Sequence, residues 1–136
     1  MSYGVSGALQ AAVYQLLASD AGLAALVGAS VFDEMPEGLV PGTYVSLGAE
    51  EVRDLSDKTG YFADHRFVVS VVTDAEGFAP AKAAAAAVSD ALVDRAPVLA
   101  RGRVVSLRFL KARARRVRRG ATRRIDLTFR AIVEDS

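Results

Sequence analysis

The sequence contains no cysteine, and this absence removes several classes of chemistry at once. A disulfide framework, thiol catalysis and any cysteine-ligated zinc or iron–sulfur site are excluded, and the composition fits folding in a reducing cytoplasm. Histidine occurs once, at His65, so the usual nucleophile–base pairs reduce to combinations built on that one residue. We predict that His65 is a structural histidine at a strand end.

Recognisable catalytic and cofactor-binding motifs are also missing. The chain has no GxSxG elbow, Walker loop, GxGxxG fingerprint or HExxH motif. Acidic pairs such as Asp33 and Glu34 are adjacent, and neighbouring strand residues point to opposite faces, so such a pair converges poorly on a cation. We therefore expect that the protein is not an enzyme and that it has no catalytic residues, no metal site and no cofactor.

Long apolar runs are absent as well. The N-terminal MSYGVSGALQ lacks the basic region and apolar core of a signal peptide, and no stretch reaches the roughly 18 apolar residues that a membrane span requires. With 136 residues, 51% of them hydrophobic, the chain has the size and composition of one compact domain. We expect a single non-secreted domain over residues 1–136 with no membrane partner.

Charge is present in both signs but is unevenly distributed. Residues 1–97 carry thirteen acids and five bases, whereas residues 98–136 carry twelve bases and three acids. The formal net charge of +1 therefore conceals a chain with an acidic and a basic part. Such asymmetry suggests a polyanionic partner, or self-association in which the basic end of one subunit meets the acidic part of the next.

Hydrophobic periodicity predicts an α+β fold. Strands come in consecutive runs with helices grouped around them, which favours a mostly antiparallel sheet with helices packed on one face. The predicted elements are helices at residues 6–18, 20–27 and 78–95 and strands at residues 31–32, 43–47, 64–74 and 103–109 and from 124 to 133, with a surface loop within residues 50–60. Residues 67–72 are apolar on both faces, as in a central strand that is covered on both sides.

The last two strands are predicted to form a long C-terminal β-hairpin. Alternate residues of the final strand are apolar, namely Ile125, Leu127, Phe129, Ala131 and Val133. Gly120 supplies the turn. The basic stretch KARARRVRRGATRR, residues 111–124, then lies at the hairpin tip, beyond the part whose side chains reach the core.

Two charged sets are the candidate interaction sites. The hairpin arginines suit recognition of phosphate, but no aromatic residue interrupts residues 111–124, so DNA contact there would be electrostatic and independent of base sequence. Alternatively, these arginines protect a sheet edge or form ion pairs with the acidic region of residues 50–57. The candidate protein-interface or DNA-channel residues are Arg113, Arg115, Arg116, Arg118, Arg119, Arg123 and Arg124, and the possible acidic interface loop contains Glu50, Glu51, Asp54 and Asp57.

Four segments together carry a resemblance to a known family: PGTYVSLGAEEVRDLSDKTG, HRFVVSVVTDAEGFAPAKAAAAAVSDAL, VVSLRFL and TRRIDLTFRAIVED. Their pattern is similar to the tail-completion or tail-terminator proteins of long-tailed bacteriophages and of phage-like gene transfer agents. The resemblance spans about residues 5–135. It rests on order, spacing and a few positions, such as Gly48, Gly60, His65 and Phe129-Arg130.

This resemblance implies a structural virion protein of the tail neck, assembled in the bacterial cytoplasm. Six copies would form a ring on the head-proximal end of the tail tube, stop tube growth and dock the head-to-tail connector, or stopper, protein. The implied partners are therefore a homohexamer, the tail tube protein, the connector protein and DNA that passes non-specifically through the central channel. A closed ring needs heterologous interfaces, in which two different surfaces of the subunit meet, and the acidic and basic parts of the chain could provide such a pair of surfaces.

Two roles remain open for the basic hairpin in such a ring. Its arginines could line the channel and meet DNA phosphates, or they could contact acidic surfaces of a neighbouring protein. We favour protein contact slightly, because a channel coated with unpaired arginines would hold passing DNA and slow its exit. A small nucleic-acid-binding module that uses the same hairpin is the alternative function.

Overall fold

The computed structural model describes residues 3–38, 40–117 and 122–135. These parts form three helices and five strands, which confirms the predicted α+β class. In chain order the elements are α1 (Ser6–Ala18), α2 (Ala21–Val27), β1 (Val31–Phe32), β2 (Thr43–Asp54), β3 (Phe62–Thr73), α3 (Ala79–Leu92), β4 (Arg103–Val117) and β5 (Thr122–Glu134). Within the described ranges, no helix is both long enough and apolar enough to cross a membrane.

The strands form one sheet in the order β1-β2-β3-β5-β4. All neighbouring strands are antiparallel except β1 and β2, which are parallel. β3 is the central strand, as its apolar residues on both faces predict, and Val69, Ser70 and Val71 have no exposed surface. The predicted mostly antiparallel sheet is therefore confirmed.

All three helices contribute to one apolar core on one face of this sheet. α1 contributes Leu9, Val13 and Leu17, and the sheet contributes alternate residues of β3 and β5, including the fully buried Phe129. α3 faces the core with alanines such as Ala84, whose small side chains let the helix backbone approach the sheet closely. Apolar burial of this kind contributes about 25 cal/mol per Å² to folding.

The ends of α1 and α2 differ in how they are capped. Asp20 accepts a 2.8 Å hydrogen bond from the Leu23 backbone NH and so caps α2, and Gly28, at φ 61°, ends that helix. At α1 the N-cap is Val5, and Ser6 is the first helical residue. Its hydroxyl donates to Glu50 on β2, so a neighbouring strand supplies the acceptor near this helix end.

β2 is longer than its sequence pattern predicts. It continues past Leu47 to Asp54, and a β-bulge between Leu47 and Glu50 shifts its register against β3. The extra residue of the bulge interrupts the alternation on which the prediction depended. The surface loop predicted within residues 50–60 is therefore limited to a short connection after Asp54.

The C-terminal hairpin is the longest strand pair in the part of the chain that the structure describes. β5 alternates buried and partly exposed residues along its whole length, as predicted. β4 has no buried residue after Leu107, and Phe109 and Leu110 are 43% and 42% exposed. The predicted turn at Gly120, together with Arg118 and Arg119, lies outside the described residues.

Candidate functional site

The imidazole of His65 is buried within the sheet. It lies inside β3, not at its end, is 1% exposed, and neither ring nitrogen has a hydrogen-bond partner. Burial lowers the pKa of His65, and the nearby Asp64 carboxylate opposes this only in part. Among the described residues, no group of three or more acids and histidines is arranged to hold a metal ion.

The basic residues of β4 form an exposed ladder. Register with β5 places Arg113 opposite Asp126 and Arg115 opposite Arg124, on the sheet face that lacks helices. Alternation puts Lys111 on the same face, and the β-bulge between Phe109 and Lys111 brings Arg108 onto it as well. Arg116 points to the other face. We call the segment 108–117 the basic edge; it contains five cations and no acid, and every cation in it is exposed.

Asp126 holds two of the predicted arginines in place. Its carboxylate lies 2.8 Å from Nε of Arg124 and 3.6 Å from Arg115, and it accepts a 2.6 Å hydrogen bond from Ser70. Burial alone raises the pKa of Asp126, but the hydrogen bonds from Ser70 and Arg124 and the charges of both arginines outweigh it. The net result is a lowered pKa, so the carboxylate stays charged at neutral pH.

Arg123 is oriented inward, unlike the neighbouring arginines. It is 8% exposed, donates a 2.6 Å hydrogen bond to the Ala75 carbonyl, and lies 5.7 Å from the ring centroid of Phe78. These contacts join the start of β5 to the segment before α3. Arg123 therefore stabilises the fold, and little of its surface is available to a partner.

The four predicted acidic residues have separate local partners. Glu50 accepts hydrogen bonds from Tyr3 and Ser6, and burial raises its pKa. Glu51 lies 3.3 Å from Arg53 in an exposed pair on β2. Asp54 and Asp57 accept hydrogen bonds from residues two positions later in the chain, which lower their pKa values. We call the segment 49–54 the acidic edge.

The acidic edge and the basic edge do not meet within one chain. β3 and β5 lie between β2 and β4, so three strand spacings, roughly 14 Å, separate the two edges. Among the described residues, no hairpin arginine forms an ion pair with residues 50–57, and the intrachain pairing considered above does not form. The sheet order could not be read from the charge pattern, because it depends on contacts between distant parts of the chain.

The sequence analysis missed three polar residues that belong to the charged hairpin face. Asp126 and Ser70 orient Arg115 and Arg124, and Arg108 extends the basic ladder toward the core. The alternation of β5 contained a signal for Asp126, because it placed this residue on the same face as Arg124. No comparable pattern linked Ser70 to these arginines, because Ser70 lies opposite Asp126 only as a result of the strand order.

The fold and surfaces define a small α+β domain whose prominent features are two oppositely charged sheet edges. The family model for tail completion protein gp17 matches residues 11–134, and the chain belongs to this family. The protein is therefore a structural component of a phage-type tail.

A solved structure supports the same assignment. One chain of a structure described as the virion of a native gene transfer agent particle is 67% identical in sequence to this protein. The alignment covers 98% of this chain and 99% of that chain, with a TM-score of 0.91. A comparison with curated proteins found no match to this sequence.

Proposed function

We propose that six copies of this protein form a ring on the head-proximal end of the tail tube. The ring ends tube growth and joins the tail to the head connector, and its central opening lets DNA pass. The similarity at 67% identity to a chain of a gene transfer agent virion, over nearly the full length of both chains, is the observation that carries this proposal.

The charge distribution supports a cyclic assembly. A closed ring of identical subunits uses heterologous interfaces, in which two different surfaces of the subunit meet. This chain presents the acidic edge on β2 and the basic edge on β4, on opposite sides of the same sheet. Oppositely charged surfaces that cannot meet within one subunit are available to pair between subunits.

The proposal is tested by assembly with the tail tube protein. Native mass spectrometry of the mixture should detect six copies per complex, and negative-stain images should show a ring at one end of each tube. Particles made without the protein should have tails that are irregular in length and not joined to heads. A protein that stays monomeric and never caps tubes would contradict the proposal.

The exposed cations of the basic edge favour sequence-independent nucleic-acid binding as a second candidate function. Arg108, Lys111 and Arg113 lie together on the sheet face that lacks helices, where a phosphate backbone could reach them. If this function is correct, the protein should bind free duplex DNA, and its affinity should fall steeply as salt is added. The reason is that binding releases counterions from the DNA, which becomes less favourable at high salt concentration. Absence of DNA binding at low salt would remove this function and leave the ring proposal intact.

A further inference from the structure

We propose that the basic edge of β4 in one subunit pairs with the acidic edge of β2 in a second copy, so that one β-sheet continues from subunit to subunit. This inference rests on the proposed ring and specifies the interface that closes it. Strand pairing satisfies main-chain hydrogen bonds, while the charges on the two edges select the partner.

The outer side of β4 is covered over its first half and open over its second half. Near the start, Val98 bridges to Arg103, and the Asp94 backbone NH donates a 2.9 Å hydrogen bond to the Leu107 carbonyl. From Arg108 to Val117, β5 is the one strand that pairs with β4 in the described parts of the chain. The open half is the basic edge.

Charge pairing also differs between the two halves of β4. Arg101 and Arg103, at its start, form ion pairs of 2.8 and 2.6 Å with Asp135 and Glu134. On the basic edge, Arg115 has the one ion pair found within the described ranges, 3.6 Å from Asp126. Positive charge therefore accumulates along the part of β4 that a further strand could reach.

The outer side of β2 is open at its acidic end. β1 pairs with Val45 and Ser46, and the Val45 backbone NH donates a 2.9 Å hydrogen bond to the Ser30 carbonyl. Beyond the bulge, the backbone of residues 49–54 bonds to β3 and to no other strand that the structure describes. A strand from another molecule can therefore reach β2 along the acidic edge, but not along the half that β1 occupies.

The two open edges are complementary in charge. The acidic edge contains three acids and one arginine, and the basic edge contains five cations and no acid. Two basic edges would repel each other, which disfavours pairing of β4 with β4 and leaves the unlike pair. Such a pair uses different surfaces of the two subunits, as closure of a ring requires.

Strand direction and side-chain alternation also fit this pairing. Adjacent antiparallel pairs make β2 run opposite to β4, so subunits repeated side by side bring these two strands together antiparallel, with the helices on the same face. Within one sheet Glu51 is level with Arg108, so the neighbouring subunit must be offset along the strands by about four residues, roughly 14 Å, to place Glu51 opposite Arg113. On that face Val52 meets a shallow apolar groove between α3 and β4, lined by Phe109, Ala112 and Ala114. On the other face Glu51 meets cations of the basic edge.

Zero-length carbodiimide cross-linking tests the pairing, because Lys111 is the one lysine of the basic edge. Tubes would be capped with a mixture of isotope-labelled and unlabelled protein, cross-linked and analysed by mass spectrometry. We expect mixed-label links from Lys111 to Glu51, which lies roughly 14 Å or more from Lys111 within one chain. Lys111→Arg is the matched control: it keeps the charge and the cap but loses the link.

Charge reversal provides an independent readout. Arg113→Glu alone and Glu51→Arg alone should each lower the fraction of capped tubes several-fold, and the double variant should recover most of that loss. Circular dichroism of each isolated variant checks that it folds. Failure of the double variant to recover while both single variants fold would overturn the pairing.

The outcomes separate this interface from the ring proposal. If tubes are capped but Lys111 links to tube protein or to another surface of the ring, the strand pairing is wrong and the ring stands. If the wild-type protein forms no cap, the proposed function fails and the interface fails with it.

Discussion

At the scale of single residues, His65 is a buried titratable group whose pKa is shifted by its surroundings. Its side chain is surrounded by core residues of β3 and β5, and its pKa in the folded protein is lowered, chiefly by burial. The unfolded chain binds a proton near pH 6.5, whereas the folded chain resists protonation at that pH. Stability from the neutral imidazole is therefore present above about pH 6.5 and is lost as pH falls below it.

We predict that His65→Leu removes this part of the pH dependence. Wild-type protein should lose thermal stability between about pH 7.5 and about pH 5.5, and the variant should lose clearly less, since leucine carries no titrating group. Thermal unfolding followed by circular dichroism measures both. Equal losses in the two proteins would show that other groups control the pH response.

Phe129 should be among the most costly side chains to truncate. It has no exposed surface, and its ring centroid lies 5.7 Å from that of Phe67 and 5.9 Å from that of Phe109. Phe129→Ala should lower the free energy of unfolding by about 3–5 kcal/mol, because it leaves a cavity in the core. Phe109→Ala, at a residue 43% exposed, is the control and should cost clearly less in urea denaturation.

At the scale of secondary-structure elements, α3 shows how small side chains determine helix packing. Ala81, Ala84 and Ala85 face the sheet, and the first two have no exposed surface. Alanine favours the helix and also allows close approach of its backbone. This face is a narrow stripe of mostly small residues, and in the structure it faces the core along the whole helix.

We predict that Ala84→Leu destabilises the protein by about 1–3 kcal/mol, because a larger side chain overpacks a filled site. Ala83→Leu, the same substitution at an exposed position of α3, should change stability little. Chemical denaturation of the two variants makes the comparison. Similar stabilities would mean that α3 can move away from the sheet without cost.

At the scale of the whole molecule, oppositely charged edges should make assembly depend on salt. Exposed charges are screened as ionic strength rises, and the Debye length falls from about 10 Å at 0.1 M to 3 Å at 1 M. We predict that the fraction of capped tubes falls over this range, while the isolated subunit, stabilised mainly by its apolar core, keeps its fold. Native mass spectrometry does not tolerate salt at these concentrations, so the capped tubes should be counted in electron micrographs. Caps that are unaffected by salt would argue for an apolar interface.

Local pattern was sufficient for much of this fold. The alternation of β5 and the helical periodicity of residues 6–18 are short-range features, and both elements were predicted within a few residues. The absence of recognised catalytic motifs and the charge asymmetry are likewise properties of the sequence alone. β2 was predicted too short because the bulge after Leu47 breaks the two-residue period, and Gly48 at the bulge also interrupts the strand pattern.

For the candidate sites, too, some features follow from the sequence and others only from the tertiary structure. The sequence by itself determined that this chain carries acidic and basic segments and that the basic one lies within a long C-terminal hairpin. Only the tertiary structure decided that Arg123 is oriented inward, that Glu50 accepts bonds near the start of α1, and that the two charged edges lie on opposite sides of the sheet. The physical reason is range: side-chain alternation is set by the local backbone, whereas strand order and helix packing are set by contacts between distant segments.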